Sequence, residues 1–363
     1  MLRATLLLLL ILLAGTARAW ATTPAEQAQA GQAQAAQVQA AMALPDELRQ
    51  ALPTLELDHL SRLDRVRRLF EFMIAKEGLA LRYREQPTYD IAESYARREV
   101  NCLSFTMMFI ALARAAEVDA YAQVSEDTLA MHLVDDTLLR AKHVKAGIDV
   151  DHLQYTVDVG WRSVVAERRP RQISDAQLVA LLHNNNAVED LQRGNGAAAT
   201  SEITVALALD PDNAMIWSNA GVIHLRSGRR DAAERAYLRA LDLERNQIAA
   251  LGNLVGLYRA TGATRLAAKY DGRLQRAQAS DPFSQFLIAQ SLMDSGAYDM
   301  AASHYRRAIR LLPNQPQFHR SLADAYERVG KDRAAQRARD QALSLERRRD
   351  LQRSIPEVRP GTG

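Results

Sequence analysis

Apolar positions follow two rhythms along this chain. Between Asp46 and about Leu81 they recur at helical spacing, as in Leu57, Leu60, Leu63, Val66, Leu69 and Phe70, and predict helix. From Leu103 to Ala116 the chain is nearly all apolar, with Ser104 and Thr106 as small interruptions and Arg114 near its end. A helix that is apolar all round is surrounded by protein. It stops at "AEVDAYAQV", which reads as a turn followed by a strand. Further on, "KHVKAGIDVDHLQYTVDVGW" places β-branched and aromatic runs on either side of "DVDH", the pattern of a hairpin.

The second half keeps a longer period. Gly194, Gly228, Gly262, Gly296 and Gly330 are spaced 34 residues apart, and Ala199, Ala233, Ala267, Ala301 and Ala335 follow at the same interval. A third column holds Ala187, Gly221, Val255, Ala289 and Ala323. The glycine suits the left-handed turn that ends a helix, and the alanine lets two helices approach closely. Trp217, Tyr237, Ala240, Tyr305, Ala308, Tyr326 and Ala342 fall at further repeat positions. This half resembles the tetratricopeptide repeat, a pair of antiparallel helices. The resemblance covers about residues 173 to 346, with Asp271 and Leu274 departing from it in the third repeat.

The ends carry other signals. Arg3, the apolar run Leu6 to Leu13 and the small-x-small sequence Ala17-Arg18-Ala19 have the layout of a secretory signal peptide. The run is short of the roughly 20 residues a membrane span needs. An exported chain, periplasmic in a Gram-negative bacterium, is expected. The division is then a signal peptide (1–19), an Ala/Gln-rich linker (20–44), an α+β domain (45–172), an all-α solenoid of about five repeats (173–346) and a basic flexible tail (347–363). With 46 basic and 43 acidic residues the net charge is +3, and no basic run interleaved with aromatics suggests nucleic acid.

One cysteine, Cys102, stands where the apolar helix begins. An unpaired thiol in an oxidising compartment is either buried or kept for its chemistry. Amides at a helix start favour a thiolate and can hold an oxyanion. A cysteine nucleophile also needs a base and a group to orient that base. If the hairpin turns between Val150 and Asp151, His143 lies opposite Asp158 on one face. Asp149 falls too far along the strand and His152 falls in the turn, while His132 remains an open substitute.

The segments "NCLSFTMMFIALARAAEVDAY", "KHVKAGIDV" and "YTVDVG" resemble, in order, the Cys, His and Asp motifs of the transglutaminase-like superfamily, which has a papain-type core. The resemblance spans about residues 50 to 170. It implies Cys102 as nucleophile, His143 as general base and acid, and Asp158 as the orienting acceptor. Leu103 departs from the tryptophan of animal transglutaminases, and no calcium-binding loop is visible. Asn101, Gln86 and the Cys102 amide are candidate oxyanion donors. No cofactor is expected. No metal is expected either, since His224 and His304 lack ligand-type partners at useful spacing.

Two functions remain open. One is acyl transfer through a thioester, ending in hydrolysis or an amine cross-link, with the repeats holding a protein or peptide. The other is a non-catalytic scaffold in which the repeats do the binding. Asn185, Asn219 and Asn253 form a ladder at the repeat period that could bond an extended peptide. A purely structural role fits the same ladder.

Overall fold

The computed structural model describes residues 24–134, 137–150, 153–157 and 171–353. The N-terminal half of these residues mixes helices and strands. Its helices are α1 (Pro24–Ala41), α2 (Asp46–Ala51), α3 (Arg62–Ile74), α4 (Ile91–Arg97) and α5 (Cys102–Ala115). Ser61 starts α3 by accepting from the Asp64 amide at 3.2 Å, and the helix buries Val66, Leu69 and Met73. Asn101 starts α5 in the same way, from the Ser104 amide at 3.0 Å. Every side chain of α5 from Leu103 to Ala113 is buried. The continuous apolar run is therefore the central helix of this half.

The helix lies on an antiparallel sheet of β3 (Ala120–Val134), β4 (Thr137–Val150), β5 (Leu153–Val157) and β6 (Arg171–Ile173), in the order β5-β4-β3-β6. The Thr106 hydroxyl donates to the Val144 carbonyl at 3.3 Å, tying helix to sheet. A parallel pair of short strands, β1 (Arg82–Tyr83) and β2 (Glu99–Val100), leads into α5. Gly147 of β4 has no room for a side chain, since a Cβ there would lie 2.5 Å from the Tyr121 ring and closer still to the Gln123 amide.

The expected hairpin forms, but its register differs. Gly147 pairs with Thr156 and Ile148 with Tyr155. A turn between Val150 and Asp151 would instead have set Gly147 against Gln154. Val150 pairs with Leu153, so two residues connect the strands rather than none. A second correction concerns the Ala/Gln-rich segment. It is not a free linker but the 18-residue helix α1. Gln34 donates to the Ala208 carbonyl at 3.0 Å, Gln37 lies 3.2 Å from the His183 ring, and Val38 packs on the main core.

The second half is five helical pairs: α6 (Asp175–Gln192) with α7 (Gly196–Leu209), α8 (Ala214–Arg226) with α9 (Arg230–Leu243), α10 (Ile248–Ala260) with α11 (Thr264–Ser280), α12 (Pro282–Asp294) with α13 (Tyr298–Leu311), and α14 (Pro316–Arg328) with α15 (Asp332–Arg353). The five periodic glycines follow the first helix of each pair with φ between 71° and 82°, the left-handed geometry expected of them. All five periodic alanines are buried. Gly221 has a different reason to be small, because a Cβ there would meet the Tyr237 ring at 2.4 Å. The last helix runs on through Arg353, so residues 347–353 are helix and not tail.

The interior of the solenoid is divided twice, first within the second pair, where Met215, Ile216 and Ala220 join the core of the N-terminal half, and again after the third pair. Residues of the second and third pairs share one apolar cluster that ends at Ala277, whereas Ala289, Ala301, Tyr305, Leu322 and Ala335 belong to a separate cluster. The degenerate third repeat borders this seam. Its Asp271 pairs with Arg259 at 3.1 Å on the surface instead of supplying a buried aromatic. Gln285 bridges the seam by donating to the Gln278 carbonyl at 2.8 Å.

Candidate functional site

Two places were marked by the sequence, the start of α5 and the inner face of the repeats, and the fold brings them together. Helix α5 packs against α6, and β4 packs against α8 and α10. The first helices of the first three pairs neighbour one another and form the inner face of that part of the solenoid. Over the first three pairs that face is therefore covered by the N-terminal half. Leu181, Asn184, Met215, Ser218 and Val222 are buried.

The asparagine ladder is consumed by this arrangement. Asn219 is fully buried and donates to Asn184 Oδ1 at 2.9 Å. Asn185 is half-buried and donates to Thr88 Oγ1 at 3.4 Å. Asn253 is only 8% exposed. Of the two roles open to the ladder, these contacts suit the structural one: Asn185 and Asn219 bond inward and Asn253 is buried.

The junction has its own polar core, which the local sequence pattern does not mark. The Thr88 amide donates to Glu189 Oε1 at 2.8 Å, and Thr88 Oγ1 accepts from Asn101 Nδ2 at 2.8 Å. The loop is held further by Ser104, whose hydroxyl donates to the Tyr89 carbonyl at 2.6 Å. Burial pushes the Glu189 carboxyl above its ordinary value, opposed by hydrogen bonds from Thr88 and by Arg193.

Cys102 is the first residue of α5 and is partly exposed. Asn101, a candidate oxyanion donor, has both ends of its amide engaged, one by the Ser104 amide and one by Thr88. Gln86 is exposed. His143 lies in β4, its backbone paired with Ser125, and His132 lies in β3, paired with Leu139. Both of those side chains, together with the whole of Asp158 and His152, fall outside the described residues. Asp149 accepts from the Tyr121 hydroxyl at 3.1 Å. Among the described residues no group of three His, Cys, Asp or Glu is gathered as a metal would require. No helix among them is long and apolar enough to cross a membrane.

A family model described as "Tetratricopeptide repeat" matches residues 216–247, and one described as "TPR repeat" matches residues 289–330. The Photosystem I assembly protein Ycf3 of Rippkaea orientalis (strain PCC 8801 / RF-1) is 32% identical over 124 residues. That match takes in 33% of this chain and 60% of the relative, so this chain spans less than two thirds of that relative's length. Among solved structures, a MamA crystal structure is 18% identical with a TM-score of 0.28, covering 46% of this chain and 96% of that one. MamA 41-end from Desulfovibrio magneticus RS-1 is 18% identical with a TM-score of 0.28, covering 47% and 97%. The columns of left-handed glycine and buried alanine, together with the two matched segments, make the second half a solenoid of tetratricopeptide repeats.

Proposed function

We propose that this chain is a protein-binding scaffold, in which the repeats hold a partner and the N-terminal half braces the first three of them. One observation carries the reading: five helical pairs form a repeat solenoid whose inner face is internally covered only in part. Solenoids of this kind present extended surfaces to proteins and peptides. The likeness to a protein named for the assembly of a complex points the same way. The leader-like residues Leu6 to Leu13 and Ala17-Arg18-Ala19 support export, with the periplasm of a Gram-negative bacterium as the site of action.

The test compares tagged full-length protein with its Cys102→Ala variant, each recovered from the native host after cross-linking. A scaffold retains the same partner at the same yield in both. Loss of the partner or of the cellular phenotype in a folded Cys102→Ala protein overturns it.

A second reading is favoured by Cys102, which opens a buried helix yet is itself partly exposed. In it, the thiolate attacks a carboxamide carbon, forming a tetrahedral oxyanion. His143, oriented by Asp158, protonates the departing amine, and the resulting thioester is resolved by water or by an amine. Its test is iodoacetamide labelling of Cys102. Labelling no faster than free cysteine, and unchanged in His143→Ala, removes it.

A further inference from the structure

The last two pairs carry a cleft that lies away from the covered inner face. It has a volume of about 410 Å³, with walls from α13 and α15 and a floor from α14. Leu322 and Tyr326 make most of the floor beside His319, whose Nε2 bonds the Pro313 carbonyl at 2.8 Å, and Ile309 extends the apolar surface onto one wall. The rim is cationic: Arg306 and Arg310 stand one turn apart on α13, and Arg337 faces them from α15.

Several cations near this cleft are already engaged within the fold. In the last pair Arg320 pairs with Glu346 and Arg339 with Glu327, while Arg328 donates to the Tyr298 hydroxyl and Lys331, in the turn between its helices, pairs with Asp299. Arg306, Arg310 and Arg337 are exposed. Among the described residues none of the three is bonded to a carboxylate. Like charges one turn apart repel when nothing neutralises them, so the rim is built for an anion that comes from elsewhere.

We propose that this cleft binds an acidic amphipathic helix of a partner protein. Carboxylates one turn apart on that helix meet Arg306 and Arg310, a third meets Arg337, and an aliphatic or aromatic side chain between them enters the floor. Guanidinium pairs carboxylates in bidentate fashion, and helix-in-groove docking anchors residues at the same one-turn spacing. The apolar floor favours a protein over a nucleic acid, whose phosphates would use the rim and leave Leu322 and Ile309 unfilled. The proposal rests on the scaffold reading and names the surface and partner class it uses.

The experiment titrates the full chain into a fluorescein-labelled synthetic helix bearing glutamates one turn apart around a leucine. Parallel arms use the same peptide with leucine changed to alanine, a single-stranded oligonucleotide, and phosphatidylglycerol vesicles. The expected result is saturable, salt-sensitive binding, weakened about ten-fold in an Arg306→Glu, Arg310→Glu, Arg337→Glu protein and about five-fold by loss of the leucine. All three sites are exposed, and circular dichroism checks that the variant folds. Absence of saturable binding, or binding indifferent to the charge reversal or to the leucine, overturns the proposal. So does tighter binding of the oligonucleotide or the vesicles. A native partner retained by the triple variant sinks the cleft and leaves the scaffold standing. If the wild-type chain captures no partner, the scaffold falls, and the peptide titration still decides the cleft.

Discussion

The backbone amide of Thr88 and the carboxylate of Glu189 meet at 2.8 Å across 101 residues of sequence, one in the N-terminal half and one in the first repeat. Glu189 is only 6% exposed. The bond is a direct polar tie between the two halves.

Burial raises the folded-state pKa of Glu189 above its ordinary carboxylate value. Below that ordinary value the group is protonated in both states. As pH rises past it the unfolded chain ionises first, so Glu189 contributes a loss of stability that continues until its own raised pKa is passed. Urea unfolding followed upward from the ordinary carboxylate range, about pH 4, is expected to show this descending component. It should be absent in Glu189→Gln, which keeps an acceptor for Thr88. Glu189→Ala strands the Thr88 amide and is expected to cost about 1–3 kcal/mol.

Two glycines of the second repeat should respond to alanine for different reasons. At Gly228, φ is +74° and an added Cβ has open space, so only backbone strain acts, about 1 kcal/mol. At Gly221 the added Cβ collides with the buried Tyr237 ring at 2.4 Å, and the cost should reach about 1–3 kcal/mol. Combining Gly221→Ala with Tyr237→Leu should recover part of that loss in thermal unfolding, whereas no such rescue is expected for Gly228→Ala.

Two tyrosines give an opposite pair. The Tyr258 hydroxyl donates to Glu234 Oε1 at 2.6 Å, and Tyr258→Phe is expected to cost about 1 kcal/mol. The Tyr237 hydroxyl is buried and finds no partner among the described residues. Removing it in Tyr237→Phe deletes an unmet polar group. Chemical denaturation should therefore show a change within about 0.5 kcal/mol or a gain.

Arg114 clamps Asp175 with two bonds, 2.6 and 3.0 Å, and also donates to the Ala120 carbonyl at 3.0 Å. Lysine cannot reproduce that fork. Arg114→Lys is expected to cost about 1 kcal/mol, discounted for the solvent exposure of the pair. A double-mutant cycle with Asp175→Asn measures the coupling.

The repeats were legible because each signal is local: a left-handed glycine and a close-packed alanine depend on residues within one helical pair. The central helix α5 was legible for a similar reason, since an unbroken apolar run has few other places to go. Helix α1 was not, because what fixes it lies far away; Gln34 bonds a carbonyl 174 residues on. The hairpin register failed on the turn, where a two-residue connection shifts the partner of Gly147 from Gln154 to Thr156. The asparagine ladder was seen, but the pattern could not choose between its two roles. Periodicity tells that Asn185 and Asn219 occupy equivalent positions, and it cannot tell that β4 and α5 already cover that side.

The polar crossing at Gln285 has a mechanical meaning. An apolar interior transmits cooperativity, and here it stops between Ala277 and Ala289. The final two helical pairs are thus expected to act as a separate foldon, which hydrogen exchange would register as opening at lower free energy than the braced portion. A guest seated between Arg306 and Arg337 would touch that foldon alone, tightening the distal end of the molecule and leaving the proximal end unaware of its arrival.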